Sequence, residues 1–159
     1  MTRTAVATTP TPLMADFLVQ SDLLGTFTVA AASIMEFPEG LLGFPECRRY
    51  ALMRAGTESI YWLQSLDFTS LVFLLIDPFP YFADYSVDIP AADALALGAS
   101  DSADVAVFAI VTLPPPSIDG ARPTANLQGP VAINLRVRLG MQVICTDSDR
   151  GVRCPLDLA

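Results

Sequence analysis

Histidine and lysine are absent from the 159 residues, and cysteine occurs only at Cys47, Cys145 and Cys154, with no two in a CxxC pair. Without histidine there is no Ser-His-Asp or Cys-His catalytic constellation, and the isolated cysteines leave no ordinary zinc-ligand set. An odd cysteine count without framework spacing points to buried or incidental thiols, not disulfides. Charge is also scarce. Only 16% of residues are charged, and nine arginines face 17 acidic residues, for a net charge of -8. Such a chain offers no basic face to a phosphate backbone, which argues against nucleic acid as a direct partner. A basic protein partner is permitted by this charge but not required by it, because acidity also serves solubility.

Long hydrophobic runs are missing as well. Residues 68–76, between Asp67 and Asp77, form one of the longest apolar stretches and are about half of a spanning helix, so no membrane segment is expected. The amino end, MTRTAVATTPTPLMADF, lacks the charged-then-apolar layout of a secretion signal, so the cytoplasm is the expected location. What the chain does have is apolar content: 52% hydrophobic residues and a mean hydropathy of +0.47, enough for one domain with a sizeable core.

Residues 1–22, rich in Thr, Ala and Pro without a sustained period, read as a flexible extension, and residues 23–159 read as a single domain. Short runs of branched and aromatic residues between turn signals predict strands at 26–31, 50–55, 60–66, 71–77, 104–113, 130–134 and 140–146. Residues 59–66 show the alternation most clearly, with Ile60, Trp62 and Gln64 on one face and Tyr61, Leu63 and Ser65 on the other. Pro90, Asp93 and Gly98 bracket one helix of barely two turns. The fold class is therefore all-β: a small antiparallel β-barrel-like or sandwich domain with one short helix. Trp62 and Phe73 are expected in its core, where truncation to Ala costs roughly 3–5 kcal/mol.

The segment DPFPYFADYSVD, residues 77–88, places four aromatics and three carboxylates in a proline-broken stretch that cannot be a central strand. Two readings are compatible. Its acids and aromatics suit a binding surface, and Phe79, Tyr81, Phe82 and Tyr85 suit a loop folded back over the core. Asp77, Phe79, Phe82, Asp84, Tyr85 and Asp88, together with Asp67, are the candidate partner-binding residues. Asp147-Ser148-Asp149 resembles a metal-binding DxD pair but lacks further ligands and reads as a solvated turn. Arg48-Arg49 reads as a solvated edge, and the amides of Asn126 and Gln128 as groups that satisfy loop backbone. No metal site, cofactor or catalytic residue is assigned.

Several segments, in order, resemble the FliW family of bacterial flagellar assembly factors. They are Phe37-Pro38-Glu39-Gly40-Leu41-Leu42-Gly43-Phe44, Leu63-Gln64-Ser65-Leu66-Asp67, and Phe73 with Asp77-Pro78 and Asp84-Tyr85. Asn126-Leu127, Gly129-Pro130 and Ile133-Asn134 continue the series, and Met141-Gln142-Val143 with Arg153, Pro155 and Leu156 closes it. Each piece is weak alone, and their shared order over residues 26–158 makes the match specific. Arg150 and Cys154 stand where the family commonly carries a tyrosine and then a histidine. The resemblance implies a non-enzymatic β-barrel-like protein that binds flagellin and the translational regulator CsrA, an RNA-binding repressor. It further implies partner switching, in which export of flagellin frees the factor to antagonise CsrA. A small-ligand or carbohydrate-binding β module using Tyr81, Tyr85 and Asn126 is the alternative, and an enzyme of unrecognised type is a third class.

Overall fold

In a computed structural model, residues 16–56, 59–145 and 150–158 are described. Ten strands follow in order: β1 (Asp16–Ser21), β2 (Gly25–Ala30), β3 (Ile34–Glu36), β4 (Arg49–Arg54), β5 (Ile60–Ser65), β6 (Val72–Ile76), β7 (Val105–Thr112), β8 (Thr124–Asn134), β9 (Leu139–Gln142) and β10 (Cys154–Pro155). Helix α1 (Ala91–Ala96) lies between β6 and β7. Strands β8-β7-β6-β5-β4-β3-β9 pair in that order, and β9 also pairs with β8, which closes a seven-stranded barrel. Every pairing is antiparallel except β3 with β9, joined in parallel through Glu36 and Leu139. Strand β10 adds to the outer end of β8, and β1–β2 form a separate hairpin.

Alternation sorts the side chains into an inside and an outside. The barrel interior is packed by Met35, Phe37, Leu41, Cys47, Tyr50, Leu63, Leu75, Phe108, Val131 and Ile133. A second cluster, with Ile76, Tyr85, Ala109, Val111, Ala125, Leu127 and Leu156, lies on the opposite face of β6, β7 and the first half of β8. A third gathers Leu97, Ala132 and Val143 where α1 meets the outside of β8 and β9. Strand β8 serves both faces because its register against β7 slips: Phe108 pairs with Val131, but Ile110 pairs with Asn126. The odd number of extra residues flips the side-chain parity, so Ala125 and Leu127 face out while Val131 and Ile133 face in. Asn126 holds the bulge, its Oδ1 accepting from Gln128 N at 3.1 Å and Gly129 N at 2.9 Å.

Local chemistry explains the connections. Helix α1 ends in a Schellman arrangement, with Ala99 N donating to Ala94 O, Gly98 N donating to Leu95 O, and Gly98 at φ +66°. Gln64 is fully buried and its amide donates into the β5–β6 turn, to the carbonyls of Ser65, Phe68, Thr69 and Leu71 at 3.0–3.4 Å. Ser65 Oγ accepts from Asp67 N and Phe68 N. Phe37, fully buried, meets Tyr50 edge-on at 5.2 Å and lies over Gly140, where an added Cβ would fall 2.4 Å from its ring.

The expected strands at 26–31, 50–55, 60–66, 71–77 and 104–113 match β2, β4, β5, β6 and β7 within a residue or two. Strand β3 is new, β8 begins six residues before the expected 130, and β9 ends at Gln142 instead of 146. Of the expected extension through residue 22, residues 16–21 form β1, aligned with β2 so that Phe17 and Val19 face Val29 and Phe27 across the hairpin. Residues 1–15 and Asp147-Ser148-Asp149 lie outside the described residues. Phe73 is half-buried against the barrel interior, stacking edge-on with Phe44 at 5.6 Å. Trp62 is not a core residue: parity places it outside, half-buried, opposite Met53 and Leu74. All three cysteines are free thiols.

Because the Phe37 ring has no room to retreat, Gly140→Ala should lower unfolding free energy by roughly 1–3 kcal/mol through overpacking, read as a lower urea midpoint at unchanged slope. An unaltered midpoint would show that the ring shifts freely.

Candidate functional site: an anchored acidic–aromatic loop and a neighbouring groove

Residues 77–88 leave β6 and fold back over the outer cluster. Asp77 starts the turn, its Oδ1 accepting from Phe79 N at 3.1 Å, and Phe82 N and Tyr81 N both donate to Pro78 O. Tyr85 is the anchor. Only 6% of it is exposed, and its hydroxyl donates to Leu127 O at 2.8 Å, tying the loop to the bulge of β8. Tyr81, Phe82 and Val87 pack around it, and Leu156 and Leu158 of the C-terminal segment close the other side. Phe79 stays 42% exposed with its ring 5.8 Å from that of Tyr85, and Asp84 and Asp88 are exposed. The Arg150 guanidinium lies over the Phe82 ring at 5.9 Å, a cation–π contact that a tyrosine there would not make. Cys154 pairs with Ala125 and its thiol lies 3.4 Å from Gly151 O.

The seven sequence-predicted residues thus separate. Phe79, Asp84 and Asp88 are exposed, and Asp77 is half-buried at the start of the turn. Phe82 is half-buried and Tyr85 lies beneath the loop, because an aromatic with a polar tip is most stable where its ring packs and its hydroxyl finds an acceptor. Asp67 does not join them. It sits in the β5–β6 turn, at the other end of β6, accepting from Arg48 N at 2.9 Å and Arg49 N at 3.3 Å. The reading of a loop folded back over the core therefore holds for Tyr81, Phe82 and Tyr85, while Asp84 and Asp88 stay exposed on it.

A second feature escaped sequence reasoning. Residues 38–43 and Pro45, with Ala96 and Leu97 at the end of α1 and residues 140–142 of β9, line a groove of about 350 Å³. Gly40 permits the loop's path: its φ is +67°, and a Cβ there would fall 2.3 Å from Phe44 O. Glu39 is the one charged residue of the lining. The loop's Leu41-Leu42 beside two glycines was the available signal, but the walls are too far apart in sequence for periodicity to join them.

Among the described residues no group of three or more His, Cys, Asp or Glu could hold a metal ion, and no helix is long and apolar enough to cross a membrane.

Comparison with known proteins places this geometry. The family model described as FliW protein matches residues 18–156. A flagellar assembly factor FliW of Treponema pallidum is 44% identical over 125 residues, 79% of this chain and 81% of that protein. One from Treponema denticola is 37% identical over 129 residues, 81% of this chain and 86% of that protein. A crystal structure of the flagellar assembly factor FliW superposes with a TM-score of 0.79 at 32% identity, covering 87% of this chain and 96% of that one.

Burial pushes the Tyr85 phenol well above its ordinary value near 10, with Cys145 and Cys154 adding to the effect, and burial likewise raises Tyr50. A raised folded-state pKa means that the unfolded chain releases these protons first. Stability is then complete below about pH 10 and falls as pH rises above it. Tyr85→Phe should cost about 1 kcal/mol at neutral pH by orphaning the Leu127 carbonyl, and should flatten the alkaline fall. Denaturant titrations from pH 7 to 11 measure both, and an equally steep fall in the variant would exclude Tyr85 as a source.

Proposed function

The chain belongs to the FliW family of flagellar assembly factors, which are regulatory proteins and not enzymes, and from that premise we propose that it binds flagellin and the regulator CsrA in turn. Unexported flagellin occupies it. Once flagellin leaves through export, the freed protein binds CsrA and relieves repression of flagellin translation, all in the cytoplasm. If the two partners exclude each other, linkage requires that each weaken the other's binding by the same factor.

The observation that carries this reading is the anchored loop at residues 77–88. It presents Asp84, Asp88 and Phe79 to solvent from a base fixed by the Tyr85–Leu127 hydrogen bond. A net charge of -8 steers a basic, RNA-binding repressor toward such a surface, and preorganisation of the loop lowers the ordering cost of binding. Asp67, engaged with the backbone of Arg48 and Arg49 away from this loop, drops out of the proposed surface and serves the turn instead.

Calorimetric titration with the same organism's flagellin and, separately, its CsrA at two salt concentrations tests the proposal. Both should bind, and saturating flagellin should weaken CsrA. Asp84→Lys combined with Asp88→Lys should reduce CsrA affinity about tenfold at low salt and less at high salt, because rim charges are screened, with thermal stability unchanged. Unaltered affinity would remove the loop from the CsrA surface. A folded protein that binds neither partner would sink the partner-switching reading.

A further inference from the structure

Among the described residues the hairpin β1–β2 is a sheet of its own two strands, and β1 pairs only with β2. In an antiparallel pair every second residue turns its N–H and C=O groups away from the partner strand, so β1 carries a row of backbone groups along an open edge. That edge is held in place. Val19, 1% exposed, seats the hairpin, and Asp22 N donates to Thr69 O of the β5–β6 turn at 2.9 Å. Ser21 Oγ accepts from Leu24 N at 2.9 Å and tightens the hairpin's own turn. A strand fixed in this way loses little entropy when another pairs with it.

The usual protections of an open edge are missing from β1. Its sequence, Asp16-Phe17-Leu18-Val19-Gln20-Ser21, has no lysine, proline or glycine, and its ladder with β2 runs unbroken through all six residues, with no bulge to twist the edge away. Where β2 exposes Thr26 and Thr28, β1 exposes Phe17 and Leu18. Polarity along the strand is also symmetric about Leu18: Phe17 and Val19 flank it, and the exposed Asp16 and Gln20 follow on either side. A strand of that pattern matches a copy of itself. Laid antiparallel about a two-fold axis at Leu18, it sets Leu18 against the partner's Leu18, Phe17 against the partner's Val19, and Asp16 against the partner's Gln20. Apolar meets apolar, and no carboxylate faces another. Sliding the partner by two residues in either direction sets Leu18 against a polar residue.

We propose that β1 is a homodimerisation edge, at which two copies of the chain join into one four-stranded antiparallel sheet of order β2-β1-β1-β2. The contact is isologous, so it closes at two copies and does not propagate. One pair of six-residue strands makes a small interface, and the dimer is therefore weak, its population rising with concentration. Two chains of net charge -8 repel each other, so salt strengthens the association.

Sedimentation equilibrium of the full chain over a range of concentrations, at low and high salt, tests this. The average mass should rise from one 17.0 kDa chain toward two as concentration increases, and further at high salt. Leu18→Lys sets like charges against each other at the axis and should keep the protein monomeric, with an unchanged melting temperature because Leu18 is mostly exposed. Gln20→Lys should instead tighten association about fivefold, since it faces the partner's Asp16 twice, and adding Asp16→Lys should abolish that gain although it brings the net charge nearer zero. A native protein that stays monomeric throughout overturns the proposal, whatever other partners it binds. A dimer that Leu18→Lys leaves intact, or that Gln20→Lys fails to tighten, overturns it too. Should Leu18→Lys not fold, the two variants at Gln20 and Asp16 decide.

Discussion

The change of face along β8 is the constraint on which the rest of the structure depends. A regular strand presents one set of side chains to one side for its whole length. The slip between Phe108 and Ile110 lets the first half of β8 supply Ala125 and Leu127 to the outer cluster and the second half supply Val131 and Ile133 to the barrel interior. The outer half receives Tyr85 and the C-terminal segment. The inner half pairs with β9 and closes the barrel. Without the slip, one apolar set would face the wrong way, each branched side chain among Leu127, Val131 and Ile133 that lost its burial forfeiting about 1.5–3 kcal/mol. Asn126 and Gly129-Pro130, which read as loop chemistry, stabilise this bulge inside a strand.

That bulge also marks where sequence reasoning stopped. Strands β4 to β7 were legible because they are apolar, branched and bounded by turn residues. The first half of β8 was not, because its amides and Gly-Pro signal breaks, and only pairing with β7 and β10 overrides them. Strand β3 is three residues long, too short for alternation to show, and β1 sat behind a proline-rich stretch that obscured its pairing with β2. Trp62 illustrates a different limit: alternation put it on one face of β5 but could not say which face was inward.

For the candidate site, the sequence located the acidic–aromatic loop but not the division of labour within it. Nothing local distinguishes buried Tyr85 from exposed Phe79, since the acceptor that selects Tyr85 is a carbonyl 42 residues away. Asp67 carried the same acidic character, yet its role is to cap backbone donors. The groove was invisible for the same reason on a larger scale, as its walls come from three separated segments. A single stretch links the two surfaces, because the loop runs directly through Ile89 and Pro90 into α1, whose end forms one wall of the groove.

The parallel contact of β3 with β9, and the bond from Leu42 to Gln142 across 100 residues, have a consequence for how the protein comes into being. Ring closure joins the first barrel strand to the last, so it carries a large loop-closure entropy and belongs among the late events of folding. During synthesis the central hairpins can pair as they emerge from the ribosome, but the seam waits until residue 142 is free. A nascent chain therefore has no groove at all, and the population with a completed groove lags translation by the time needed to close the ring.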